Sequence, residues 1–252
     1  LAANIFEFLG KPLFDIDSKG MLGFDNFGLH FNSIAFFCTL IYFLLSRRDI
    51  EKVGKHVSEY FALIFFVLCG VAIASSYKSL LMLFLGIEIM SIPLYILTGA
   101  DKRNLKSNEA SLKYFLRGAF STGIMLMGIT LIYGATGSFS LDAAPATSPL
   151  GEVRTSFLAS AGLILSFVSI AFKVSAAPFH FWTPDVYDGA PTVFTSFMAT
   201  MVKTAGFIAF IRVFDTHTEI LGPTWKILLA FVIIATLLIG NITAVFQQSV
   251  KR

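Results

Sequence analysis

Residues 171–192 read AFKVSAAPFHFWTPDVYDGAPT, and the fold turns on what this stretch does. It opens as the end of a long apolar run carrying one charge, Lys173, and then meets Pro178, Pro184, Gly189 and Pro191. A helix cannot keep its hydrogen-bond ladder through Pro178, because proline has no N–H and its ring clashes with the preceding turn. Inside a membrane, such a break is tolerated only where protein or a wet cavity satisfies the freed backbone. Lys173 is therefore either an ion site beside an interrupted helix or an interfacial lysine whose ammonium snorkels to water. The stretch alone leaves both readings open.

Working outward, the composition requires a membrane. Of 252 residues, 56% are hydrophobic and only 14% charged, where a soluble domain carries about a quarter charged. The mean hydropathy is +0.76, and the 28 phenylalanines suit lipid and its boundary. The net charge of +3 says nothing of nucleic acid, since the basic residues sit in loops between apolar runs. Cys38 and Cys69 lie inside apolar runs without metal-ligand spacing, as small lipid- or core-facing residues do. No signal peptide is visible. The chain starts at Leu1 and stops just after an apolar run, so both ends are expected to be truncations of a longer chain.

Residues 1–28, punctuated by Gly10, Pro12, Gly20, Gly23 and Gly28, are expected to form a loop or interfacial segment. Residues 29–252 are expected to form one all-α, polytopic transmembrane domain. Seven apolar runs cover 29–46, 59–75, 79–100, 110–134, 156–177, 192–213 and 225–246, each close to the ~20 residues that cross a hydrocarbon core. The connecting loops are short except 135–155, which is rich in Ser, Ala, Pro and Gly. Basic residues alternate between the loops: Arg47, Arg48, Lys52 and Lys55 after the first run, Lys102, Arg103 and Lys106 after the third, Lys251 and Arg252 after the last. The intervening loops hold only Lys78 and Arg154. The positive-inside rule then puts the Pro178 insert on the cytoplasmic side and loop 135–155 outside.

Charges inside the runs need a reason, because one at the centre of a membrane helix costs about 2.5–3.5 kcal/mol. Glu88, in SLLMLFLGIEIMSIPLYIL, sits mid-run and is either functional or a carboxyl kept neutral by burial. Lys203, in TSFMATMVKTAGFIAFI, is also central and faces about 15 Å to either surface; it is functional or half of a structural ion pair. Lys113 lies a few residues into its run beside the basic loop, where a snorkelling anchor is the plain reading. Arg117, one turn on, is an anchor or faces a wet cavity. His180 either caps carbonyls or carries protons. Asp185 and Asp188 suit turn positions in TPDVYDG. An acid and several amines at membrane depth can exchange protons as they pair and separate. No nucleotide-binding loop, haem ligand pair, iron–sulfur spacing or nucleophile elbow is present in the sequence, so whatever drives the protons is encoded elsewhere.

The blocks FLGIEIMSIPLYIL, EASLKYFLRGAFSTGIMLMG, AFKVSAAPFHFWTPDVYDGAPT and MATMVKTAGFIAFIRVF resemble the antiporter-like membrane subunits of bacterial respiratory complex I, the NADH:quinone oxidoreductase. TPDVYDGAPT and MVKTAGF lie nearer to its N-type subunits than to the L or M types. The resemblance covers nearly the whole chain and is weakest over 1–60. It implies a proton-translocating subunit in the bacterial inner membrane, with an antiporter-like fold broken near Pro178. Glu88, Lys113, Lys173 and Lys203 would be the translocation residues. Glu88 and Lys173 would form a modulating ion pair, Lys173 would be the central proton acceptor, and Lys203 would relay protons onward. No cofactor or metal is implied for this chain: NADH, FMN, iron–sulfur clusters and quinone would belong to partner subunits. Antiporter-like neighbours, small membrane subunits and the lipid bilayer would be its partners. The family has about fourteen helices in two inverted repeats, and the seven here would align with the third to ninth. A subunit of a multi-subunit cation/proton antiporter or of a membrane-bound hydrogenase shares these features. A seven-helix receptor suits the span count but leaves Glu88 and Lys203 without a reason.

Overall fold

In a computed structural model the protein is described over residues 2–10, 19–54, 57–141 and 152–252. Among these residues the structure is helical, with two isolated antiparallel bridges, Leu22 to Tyr77 and Ser79 to Ser140. Lys55 and most of the loop after residue 135 lie outside the described residues. The helices are α1 (Ala2–Phe8), α2 (Asn26–Val53), α3 (Val57–Ser76), α4 (Leu80–Thr98), α5 (Leu105–Thr136), α6 (Glu152–Val174), α7 (Thr183–Gly189), α8 (Thr192–Phe197) and α9 (Lys203–Val245). A π-helical turn, Met198–Val202, joins α8 to α9.

Among the described residues, seven stretches are long and apolar enough to cross a membrane: Asn26–Val53, Val57–Ser76, Leu80–Thr98, Leu105–Thr136, Ser156–Val174, Thr192–Asp215 and Ile220–Val245. Within residues 1–28, expected to be a loop or interfacial segment, Ala2–Phe8 is a short helix. α2 starts at Asn26 rather than 29, because Asp25 caps it, its Oδ1 accepting from the Gly28 N–H at 3.2 Å.

α9 holds the second half of the sixth span and the whole of the seventh. At Gly222 the backbone leaves helical geometry (φ 52°, ψ −138°), and Pro223 follows. The chain doubles back there: the ring of Trp225 stacks 4.4 Å from that of Phe214, whereas eleven residues of straight helix would separate them by about 16 Å. The last span returns beside α6, where Thr236 Oγ1 accepts from the Ala177 N–H at 2.9 Å.

Two glycine contacts set how closely the long helices lie. A side chain on Gly128 (α5) would meet the Gly162 carbonyl oxygen at 2.7 Å, and one on Gly162 (α6) would meet the Gly128 carbonyl oxygen at 2.6 Å. In lipid, where apolar surface gains little by leaving the solvent, such small-residue contacts let backbones pack directly. Outward faces are apolar, as at Leu45, Phe120 and Ile227.

Among the described residues, the buried ones form two apolar cores. One gathers Tyr60, Ile64, Leu94, Tyr95, Tyr114, Phe172, Trp182 and Phe194; the other gathers Leu83, Ile87, Ile129, Phe167, Ala171 and Phe214. Along α4 the division falls between Ile87 and Met90, and along α6 between Ala171 and Phe172. Glu88 sits in the first gap and Lys173 borders the second. Ser121 and Ser169 meet in the same seam, their hydroxyls 3.1 Å apart.

Replacing Gly128 by Leu is expected to lower the stability of the bundle in detergent by about 1–3 kcal/mol, the cost of overpacking. Gly123→Ala, at a helical site with open space around it, is expected to be neutral or to stabilise by up to about 1 kcal/mol. Thermal unfolding of the two purified variants measures the contrast.

Candidate functional site

The interruption of α6 comes earlier than Pro178. The helix ends at Val174, and Ser175 takes a left-handed conformation, φ +61°. The reason is steric: a proline ring clashes with the carbonyl four residues back, here that of Val174, and it also disfavours helical geometry at the residue before it. Four carbonyls at a helix end have no partner within the helix. Here the Ala171 carbonyl accepts from the Ala176 N–H at 2.9 Å, and that of Phe172 from the Ser175 N–H at 3.1 Å and the Trp182 indole N–H at 2.9 Å. The Lys173 carbonyl accepts from the ammonium of Lys203 at 3.1 Å. A cation at a helix C-terminus also meets the negative end of its dipole.

Lys203 follows directly on the π turn, a helical irregularity that often marks a functional site. Its ammonium also donates to Ser175 Oγ and lies 4.9 Å over the Trp182 ring and 5.8 Å from that of Tyr187. Trp182 is itself fixed between two rings, stacked on Tyr114 at 4.7 Å and on Phe172 at 5.3 Å. The insert thus wraps around Lys203.

Lys173, in the last turn of α6, points the other way, into α4. Its side chain is buried at 2% exposure. The ammonium donates to Ser91 Oγ at 2.7 Å and lies 3.5 Å from the Tyr95 hydroxyl. Ser91 gives its own hydrogen to the Ile87 carbonyl, which leaves its lone pairs for the cation. Glu88, Ser91 and Tyr95 share one face of α4, being three and seven residues apart. Glu88 is within electrostatic range of both Lys173 and Tyr95, but the expected Glu88–Lys173 ion pair is not closed. Lys173 is held by hydroxyls, and Glu88 Oε1 is buried without a hydrogen-bond partner.

Lys113 stands apart. It is paired with Glu109 at 2.6 Å and Asp185 at 3.1 Å, in a charged pocket of about 200 Å³ lined also by Lys106, Asp188 and Arg252. Asp185 therefore does more than shape a turn: it joins Lys113 to Arg252, 3.3 Å from its other oxygen. Asp188 accepts from the Ser249 hydroxyl at 2.9 Å. α7 carries Asp185 toward Lys113 while Tyr187 faces Lys203, so both lysines contact that short helix. Arg117 donates to the Phe181 carbonyl at 3.2 Å. His180 Nδ1 is buried with no partner, so the histidine caps no carbonyl through that atom. The insert lies at the bundle end that carries Lys102, Arg103 and Lys106, with Gly189 packed against the Lys106 carbonyl.

The opposite end is laced by backbone. Gly23 N–H donates to the Ser76 carbonyl, Lys78 N–H to that of Met21, Leu80 N–H to that of Phe139 and Leu141 N–H to that of Lys78. Arg212 and Asp25 form an ion pair there. Sequence reasoning missed Ser91, Tyr95 and Ser175. The helical spacing from Glu88 could have exposed the first two, but nothing local singles out Ser175. Among the described residues no group of three or more His, Cys, Asp or Glu could hold a metal ion.

The family described as NADH:quinone oxidoreductase/Mrp antiporter, TM, matches residues 77–252. The chain belongs to this family. Similar NADH:quinone oxidoreductase/Mrp antiporter members include NADH-quinone oxidoreductase subunit N of Cytophaga hutchinsonii, 44% identical over 92% of this chain and 50% of that one. The subunit N of Flavobacterium johnsoniae is 36% identical over 100% of this chain and 55% of that one. The chain spans about half the length of the curated relatives it matches. Among solved structures, a chain of respiratory complex I from Thermus thermophilus with bound aureothin is similar at TM-score 0.71 and 34% identity, over 90% of this chain and 47% of that one. A chain of the Mrp complex from Dietzia shares the fold at TM-score 0.68 and 22% identity, over 86% of this chain and 40% of that one.

Ser91→Ala is expected to destabilise the protein by about 1.5–3 kcal/mol, because a buried ammonium loses its acceptor. Adding Lys173→Met to that variant is expected to recover part of the loss, since the orphaned ammonium is gone, while Glu88 loses a nearby cation. Denaturant unfolding of the single and double variants in detergent checks the sign of each step.

Proposed function

We propose that this chain is the proton-translocating part of an N-type membrane subunit of a bacterial NADH:quinone oxidoreductase, lying in the inner membrane. It would comprise the first repeat of the antiporter-like fold with flanking helices. The carrying observation is a fully buried lysine, Lys173, at the end of an interrupted helix, held by two hydroxyls with a carboxylate one turn away. An amine that moves between hydroxyls and a carboxylate changes how firmly it holds its proton. In this reading Lys173 alternates between Ser91 with Tyr95 and Glu88. Lys203 passes the proton onward, and Lys113 with Asp185 lies on the charged approach beside α7. His180 remains the weakest member of the set, its Nδ1 making no hydrogen bond. The redox cofactors and quinone belong to partner subunits, and neighbouring membrane subunits flank this one. Similarity at 44% identity to a subunit N supports the assignment. The Mrp half of the family description keeps a cation/proton antiporter subunit as the second reading.

Lys173→Ala and Glu88→Gln in the full-length subunit, assembled in the complex and studied in inverted vesicles, are each expected to cut NADH-driven proton uptake about tenfold, a loss of ~1.4 kcal/mol in coupling. Unchanged proton uptake per NADH in both variants would defeat the proposal. Proton movement driven by a sodium gradient without NADH would favour the antiporter reading instead.

A further inference from the structure

Ser175 belongs neither to the acid and amines nor to the aromatic residues of the insert, yet its hydroxyl touches both sides of the break. It is the first residue past α6, and its φ of +61° is one that glycine would adopt at less cost. Its Oγ meets the Lys203 ammonium and the Thr183 hydroxyl together. A hydroxyl has one hydrogen and two lone pairs, and an ammonium can only donate. Ser175 therefore accepts from Lys203 and has its own hydrogen free for Thr183 Oγ1, the first residue of α7. The other neighbours fix Lys203 less sharply: the Lys173 carbonyl offers one acceptor, and the Trp182 and Tyr187 faces attract a cation without holding it to one direction.

We propose that Ser175 is a positioning residue for Lys203, aiming its ammonium at the end of α6 and tying that position to the start of α7 through Thr183. A displacement of the insert would then be felt at Lys203 through a hydroxyl pair rather than through bulk packing. This inference rests on the proposed role of Lys203 in proton transfer.

The test uses Ser175→Gly and Ser175→Asn in the full-length subunit within the assembled complex. Glycine deletes the hydroxyl while suiting the left-handed backbone, so folding is not impaired. Asparagine tolerates that backbone and returns an oxygen acceptor. Ser175→Gly is expected to lower NADH-driven proton uptake in vesicles about tenfold, the equivalent of one charge-assisted hydrogen bond, and Ser175→Asn to regain most of it. Full uptake in the glycine variant, or no recovery with asparagine, overturns the positioning role. Lys203→Ala is measured alongside. If that variant pumps normally, the role of Lys203 falls and this inference with it; if it loses pumping while Ser175→Gly keeps it, this inference alone is wrong.

Discussion

The structure depends on one constraint: a helix that ends against buried protein must find partners for its last carbonyls. Left unpaired in the interior they would be costly. The insert answers with the Ala176 and Ser175 amides and the Trp182 indole, and α9 adds the Lys203 ammonium. The same contacts that make the break tolerable bring a cation from α9 to the end of α6. Structural necessity and candidate chemistry are one set of bonds here.

The second consequence is the seam between the two cores. Burying a lysine is costly, and a hydrogen bond involving a charged group returns about 1.5–3 kcal/mol. The 2.7 Å contact to Ser91 therefore offsets part of the cost of Lys173. Glu88 stands one turn along α4 with a buried oxygen unpaired. A tight ion pair would be harder to open. An amine resting on hydroxyls keeps the carboxylate available.

The spans were legible in the sequence because crossing hydrocarbon demands a run of apolar residues, and such runs can be counted. All seven stand where runs were expected, although the first continues to Val53 rather than 46 and the fourth starts at Leu105 rather than 110. The interruption was legible too, but its position was not. Pro178 announces itself, whereas the steric clash acts four residues upstream, at Val174. The doubling back at Gly222 followed from two adjacent runs. Partners were harder: Lys113 meets Asp185 across 72 residues, and Lys203 meets the Lys173 carbonyl across 30. Residue type cannot announce such meetings, because any turn-forming Asp looks like Asp185. Glu88 and the lysines stood out by being charged where charge is costly, and Ser91 and Ser175 escaped because a serine in an apolar run is cheap and unremarked.

The π turn at Met198–Val202 carries a consequence of its own. A wide turn accommodates one residue more than regular α-helical winding, and each residue of an α-helix advances about 100° around the axis. The azimuth of every side chain beyond it, Lys203 first among them, is therefore set by that surplus residue. Tightening the loop of backbone into ordinary coil geometry would swing the ammonium roughly a quarter-turn off the α6 terminus, with no change in the amino acid that bears it.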